Sequence, residues 1–243
     1  MEEYPTDNSA APQPHLVLTP EEASGIMARF MTQVYGWMAV ALAFSGATAL
    51  AVGLVPALQE LVFGNRLVFL GLLLLQFVVV GFLSRKAFDW PASTTTLAFV
   101  GYSVLSGLTL GFIFMVYTAE SISSTFFITA GTFGVMSVYG YVTRTDLSRW
   151  GNLLFMGLVG LIIASVVNVF WANSTLYWIT SFVGVLLFTA LTAYDTQKVK
   201  SLAFLGHEDA HTDRKAAVLG ALILYLDFIN LFLFLLRLFG RRR

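Results

Sequence analysis

Leu222-Ile223-Leu224-Tyr225-Leu226-Asp227-Phe228-Ile229-Asn230-Leu231-Phe232-Leu233-Phe234-Leu235-Leu236 is an apolar run broken only by Asp227 and Asn230. The apolar run before it closes on a second carboxylate, in Thr192-Ala193-Tyr194-Asp195-Thr196-Gln197. A charge at the centre of a membrane-spanning helix costs about 2.5 to 3.5 kcal/mol on insertion scales, so such residues face a partner or a watery cavity and mark ion or proton paths. Two acids in successive runs are therefore the first candidates for function.

The rest of the chain explains why the runs are read as spans. Its 243 residues are 57% hydrophobic and 12% charged, and the mean hydropathy is +0.77. Soluble domains carry roughly 45 to 50% apolar residues. The fold class is an all-α integral membrane protein, and a chain this short leaves no room for a separate soluble catalytic domain. The formal net charge of +0 offers no basic surface for nucleic acid. Without cysteine there is no disulfide, thiol catalysis or cysteine-ligated metal. Nothing indicates a nucleotide, haem or flavin site, and no cofactor is expected.

A bilayer core of roughly 30 Å requires about 20 apolar residues per helix. Seven such stretches occur, over about 34–54, 67–83, 97–117, 122–142, 153–171, 176–199 and 216–239. Residues 1–30 are assigned to a cytoplasmic tail and 31–243 to the membrane domain. The tail is read as disordered because its first twenty residues hold Glu2, Glu3, Asp7, Pro5, Pro12 and Pro14 around no apolar core, unlike a signal peptide. The fourth stretch, with Ser123, Ser124, Thr125, Thr129, Gly131, Thr132, Gly134 and Ser137, has the small and hydroxylated character of a helix inside a bundle. Gly107 and Gly111 form a GxxxG in the third.

Lys and Arg concentrate on the cytoplasmic side of membrane proteins. Arg85, Lys86, Arg144, Arg149, Lys198, Lys200, Arg214 and Lys215 fall in loops on one side, and only Arg66 on the other. The amino terminus is thus expected inside. Seven spans then put Arg241, Arg242 and Arg243 outside, against the rule; a last segment that re-enters and returns is the alternative.

Simple hydropathy places Asp195 near the cytoplasmic end of the sixth span and Asp227 roughly eleven residues into the seventh, so they meet only if the last helix starts well outside the bilayer or the helices tilt. If they meet, both cannot stay ionised in a low dielectric, and the pair shares a proton. Protonated, it would latch the two helices; deprotonated, it would loosen them and offer oxygens to a hard divalent cation. Alternatively each acid is satisfied separately by a hydroxyl, an amide or Arg85. Arg85 ends the second span at a depth similar to Asp195, so a guanidinium–carboxylate pair would make it a modulator; the other reading is snorkelling to the headgroups. Asn230, Tyr194 and Gln197 are weaker neighbours.

The run 224–232, the following Leu235-Leu236-Arg237, and Tyr194-Asp195-Thr196-Gln197 resemble the Bax inhibitor-1 family, especially its bacterial YccA-like branch. The resemblance implies seven helices with the last one central and wrapped by the other six. It also implies a pH-sensitive calcium leak whose di-aspartyl sensor falls on Asp195 and Asp227, with Arg85 as the basic partner. The expected location is the bacterial inner membrane, in contact with lipid, calcium ions and protons. A second implication is a regulator without transport of its own, acting on a membrane quality-control protease or in stress and cell-death signalling, with the tail as the contact. A competing motif, His207-Glu208-Asp209-Ala210-His211, reads as the zinc-protease H-E-x-x-H. It follows Gly206 in a polar loop with only Asp209 and Asp213 as further ligands nearby, so it is read as a chance match, and no enzyme is expected.

Overall fold

The computed structural model describes residues 19–204 and 210–243. In chain order the helices are α1 (Pro20–Leu54), the short α2 (Pro56–Phe63), α3 (Arg66–Lys86), α4 (Ala92–Leu110), α5 (Phe112–Val116), α6 (Ala119–Val142), α7 (Gly151–Phe170), α8 (Ser174–Ser201) and α9 (Ala210–Phe239). α5 continues α4 past Gly111, and 3-10 turns cover Leu147–Trp150 and Leu202–Phe204. Seven helical segments are long and apolar enough to cross a membrane, making an all-α seven-span bundle.

α1 starts eleven residues before the expected domain boundary at residue 31, at Pro20. The cause lies in Thr19-Pro20-Glu21-Glu22: Thr19 caps the helix, Glu22 bonds back to the Thr19 N–H at 2.8 Å, and proline occupies the first turn. Such a capping box satisfies amide donors that would otherwise be orphaned. Residues 20–30 are therefore helix rather than tail. Residues 1–18, which carried the reading of a disordered tail and a partner contact, lie outside the described residues.

α9 forms the axis. It touches α1, α4, α6 and α8, and 67% of its most apolar stretch is buried, against 6% for α3 and for the segment Leu147–Phe170. The last helix is thus central, with α1, α4, α6 and α8 packed most closely on it, while α3 packs mainly on α4, and α7 on α8. With no hydrophobic driving force between helices in lipid, close van der Waals contact does the holding. A Cβ on Gly107 would meet the Ser45 carbonyl oxygen at 2.6 Å, so the GxxxG of α4 serves to admit the α1 backbone. α6 is buried along one face only: Thr125, Thr129 and Ser137 point inward, whereas Ser123, Ser124 and Gly131 do not.

Both rims are tied by polar contacts. At one, Lys215 Nζ donates to Phe88 O at 3.0 Å, Lys200 Nζ to Tyr141 O at 2.9 Å, and Gln197 bridges to Thr145 O at 2.9 Å and from Leu147 N at 2.8 Å. At the other, residues 241–243 run antiparallel to 116–118, with Thr118 N to Arg241 O at 3.1 Å and Arg243 N to Val116 O at 2.9 Å. The carboxy-terminal arginines therefore stand on the face opposite the basic loops. α9 crosses fully, since its 30 residues reach about 45 Å at 1.5 Å each. The re-entrant alternative is excluded by this path.

Candidate ion-pathway site

The register of α8 against α9 is fixed by two glycines. A Cβ on Gly184 would meet the Phe234 ring at 2.6 Å, and one on Gly220 would meet Val199 Cγ1 at 2.7 Å. Between these close approaches the antiparallel helices set Asp195 opposite Asp227, with the two carboxyl groups within hydrogen-bonding reach. The depth mismatch expected from hydropathy is resolved by helix length. Asp227 stands about 25 Å from the start of α9, so α9 begins well beyond the end of α8, where Asp195 lies only about 9 Å inside.

Asp227 is 5% exposed, and Asp195 is half-buried. Asp227 Oδ2 is buried with no hydrogen-bond partner. Two ionised carboxylates have no proton to donate; one proton placed between them turns the same contact into a hydrogen bond. Lys198 stands one helical turn beyond Asp195 on α8. Its ammonium is exposed and lies 6.0 Å from the Tyr194 ring centroid.

Arg85 does not join this pair. It is exposed at the end of α3, a helix that packs on α2 and α4 at the edge of the bundle, and it forms no ion pair among the described residues. Similar depth in the membrane brought it into consideration, but its helix stands on the wrong side of the axis. The neighbouring Lys86 pairs instead with Asp89 at 3.0 Å.

The weaker candidates have structural partners. Asn230 Nδ2 donates to Leu226 O at 2.8 Å within its own helix. Gln197 fastens the segment before α7, as described above, and the Tyr194 hydroxyl lies against Gly151. On the α6 side of Asp195, Thr196 Oγ1 donates to Ser137 Oγ at 3.3 Å, with the Tyr35 hydroxyl in reach of both. His207 and Glu208 lie outside the described residues. His211 sits at the start of α9, and among the described residues no cluster of three metal-ligating side chains occurs.

Sequence reasoning passed over Tyr225. Two residues before Asp227, it projects some 200° away around the helix, toward α1 and α4. There its buried hydroxyl faces Ser45 and Ser106 without a well-formed hydrogen bond, and its ring meets Phe99 and Tyr102 edge-on at 6.2 and 6.1 Å. The available signal was a polar hydroxyl inside the same apolar run.

Outside the spans, the Ser148 backbone N–H donates to Asp146 at 2.9 Å, and this contact, with the Ser148 hydroxyl, holds the Asp146 carboxyl below the usual carboxylate range. At the opposite face, burial first and then the Tyr177 hydroxyl push the Tyr117 phenol above its ordinary value.

Comparison with known proteins agrees with this architecture. A protein of Escherichia coli strain K12 described as inner membrane protein YbhL is 50% identical over 215 residues, covering 88% of this chain and 92% of that protein. An uncharacterized protein of Borreliella burgdorferi is 45% identical over 215 residues, covering 88% and 93%. One from Deinococcus radiodurans is 38% identical over 227 residues, covering 93% and 96%. The seven apolar helices and the inner-membrane relative support an integral protein of the bacterial inner membrane. Residues 27–243, which span the whole bundle from the first turns of α1, match the family described as Inhibitor of apoptosis-promoting Bax1, and the chain belongs to that family.

Proposed function

We propose that the protein is a pH-sensitive leak for calcium or a similar hard cation, gated by Asp195 and Asp227. The observation that supports this reading is the facing of two carboxyl groups inside the bundle, with Asp227 Oδ2 buried and unpartnered. A shared proton bonds α8 to α9. Its loss leaves two like charges in a low dielectric, which costs free energy that separation of the helices or entry of a cation relieves. The freed oxygens are the ligand type that calcium prefers. In the same reading the amino terminus is cytoplasmic, because the face bearing Lys86, Arg144, Arg149, Lys198 and Lys200 is the more basic of the two connecting faces.

Calcium flux into liposomes carrying the purified protein, measured across a pH series, tests the reading. The wild type is expected to show a pH-dependent flux, and Asp195→Asn and Asp227→Asn to flatten that dependence. An unaltered profile in both variants would defeat the assignment.

A further inference from the structure

The face opposite the basic loops carries an arginine cluster that the gate does not use. Arg237 ends α9, and Arg241, Arg242 and Arg243 follow it on the strand-like segment bridged to Tyr117. Two of these side chains converge on one ring: the Arg237 guanidinium lies 5.8 Å and the Arg242 guanidinium 5.6 Å from the Tyr177 centroid. Arg242 also donates to the Tyr177 hydroxyl at 3.1 Å, and Arg237 lies 5.2 Å from the Phe234 ring. All four arginines are exposed, and none forms an ion pair among the described residues. Glu120, at the start of α6 on this face, makes no ion pair with them either.

The cluster is built rather than trailing. Arg241 N donates to Ser121 Oγ at 2.8 Å, and the antiparallel pairing with 116–118 fixes the backbone on both sides of Arg242. Like charges are thereby gathered with no ion pair among the described residues, at a rim where Trp178 and Phe239 are 63% and 65% exposed. Tryptophan and tyrosine, here Trp178 and Tyr177, are enriched at the headgroup level of a bilayer. Planar guanidinium groups match phosphate oxygens two at a time. A free anion in water would not need the apolar rim; a lipid uses both.

We propose that Arg237 and Arg242, with Arg241 and Arg243 beside them, bind the phosphate headgroup of an anionic phospholipid in the leaflet on this face. The site also gives a physical reason for arginines on the side where the positive-inside rule disfavours them. It is independent of the Asp195–Asp227 reading.

Native mass spectrometry of the delipidated full chain, titrated separately with phosphatidylglycerol, phosphatidylcholine and inorganic phosphate, tests it. Wild type should retain phosphatidylglycerol in preference to phosphatidylcholine. Arg237→Gln with Arg242→Gln should weaken phosphatidylglycerol binding about fivefold or more, while Arg144→Gln with Arg149→Gln on the other face leaves it unchanged. The single Arg242→Gln should give an intermediate loss, which keeps the test decisive should the double variant fold poorly. Equal phosphatidylglycerol binding in wild type and arginine variants, or equal loss in the opposite-face control, overturns the proposal. So does inorganic phosphate that displaces the lipid with the same arginine dependence, since the site would then hold a free anion.

Discussion

Gly140 of α6 rests directly on the carbonyl oxygen of Ala193 in α8, two residues before Asp195. No side chain fits between them, and this close approach sets the distance from α6 to the helix carrying the acid. Gly134, six residues earlier on α6, faces open space. Replacing Gly140 by leucine should force the helices apart and destabilise the protein by about 1 to 3 kcal/mol, the usual range for overpacking. Gly134→Ala should be neutral or slightly stabilising. Thermal unfolding of the detergent-solubilised variants compares the two.

Lys198 and Arg85 give opposite expectations for the pH profile. Lys198 stands one helical turn beyond Asp195 on α8, whereas Arg85 ends α3 at the edge of the bundle. A nearby positive charge favours the ionised form of a carboxyl, and Lys198→Gln removes the one a turn from Asp195. The flux–pH curve should move to higher pH by up to roughly one unit. Arg85→Gln should leave it in place. A shift with Arg85→Gln and none with Lys198→Gln would show that the wrong cation has been identified.

Asp146 provides a control for surface titration. Its carboxyl is held below the usual range by Ser148, so the contribution it makes to the loop is complete above the unfolded carboxylate value and is lost only as pH falls through the lower folded one. At neutral pH it is already ionised. Asp146→Asn should therefore not change the midpoint of the flux–pH curve, although it removes the turn contact to Ser148.

Removing residues 241–243 should expose the segment they cover. The truncation deletes the hydrogen bonds Thr118 N to Arg241 O, Arg243 N to Val116 O and Arg241 N to Ser121 Oγ. Each contributes about 0.5 to 1.5 kcal/mol net. Amide exchange at Thr118 should accelerate markedly, while the amides of α9 around Asp227 keep their protection.

Much of this architecture is legible in the sequence because hydropathy records where a helix meets lipid. Each of the seven expected stretches coincides with an observed helix, the third with α4 and α5 together, and the two acids were marked by being polar where lipid forbids it. Hydropathy does not record azimuth. It gave Arg85 a depth close to that of Asp195 but not the side of the bundle on which α3 stands, and it hid Tyr225, whose ring reads as apolar. The early start of α1 was missed for a different reason: Thr19-Pro20-Glu21-Glu22 is a helix signal written in capping chemistry, and a search for greasy stretches passes over it. The encounter of Asp195 with Asp227 was conditional on α9 beginning far outside the core, a matter of helix length that only the folded chain decides.

Hoops of hydrogen bonds at both rims also constrain how the axis can move. A piston-like slide of α9 would have to break the ties at Lys215 and at Arg241 together, whereas bowing or swivelling about fixed ends breaks neither. Any rearrangement that follows a change at Asp227 would thus fall between the two tied rims, in the middle of the bundle.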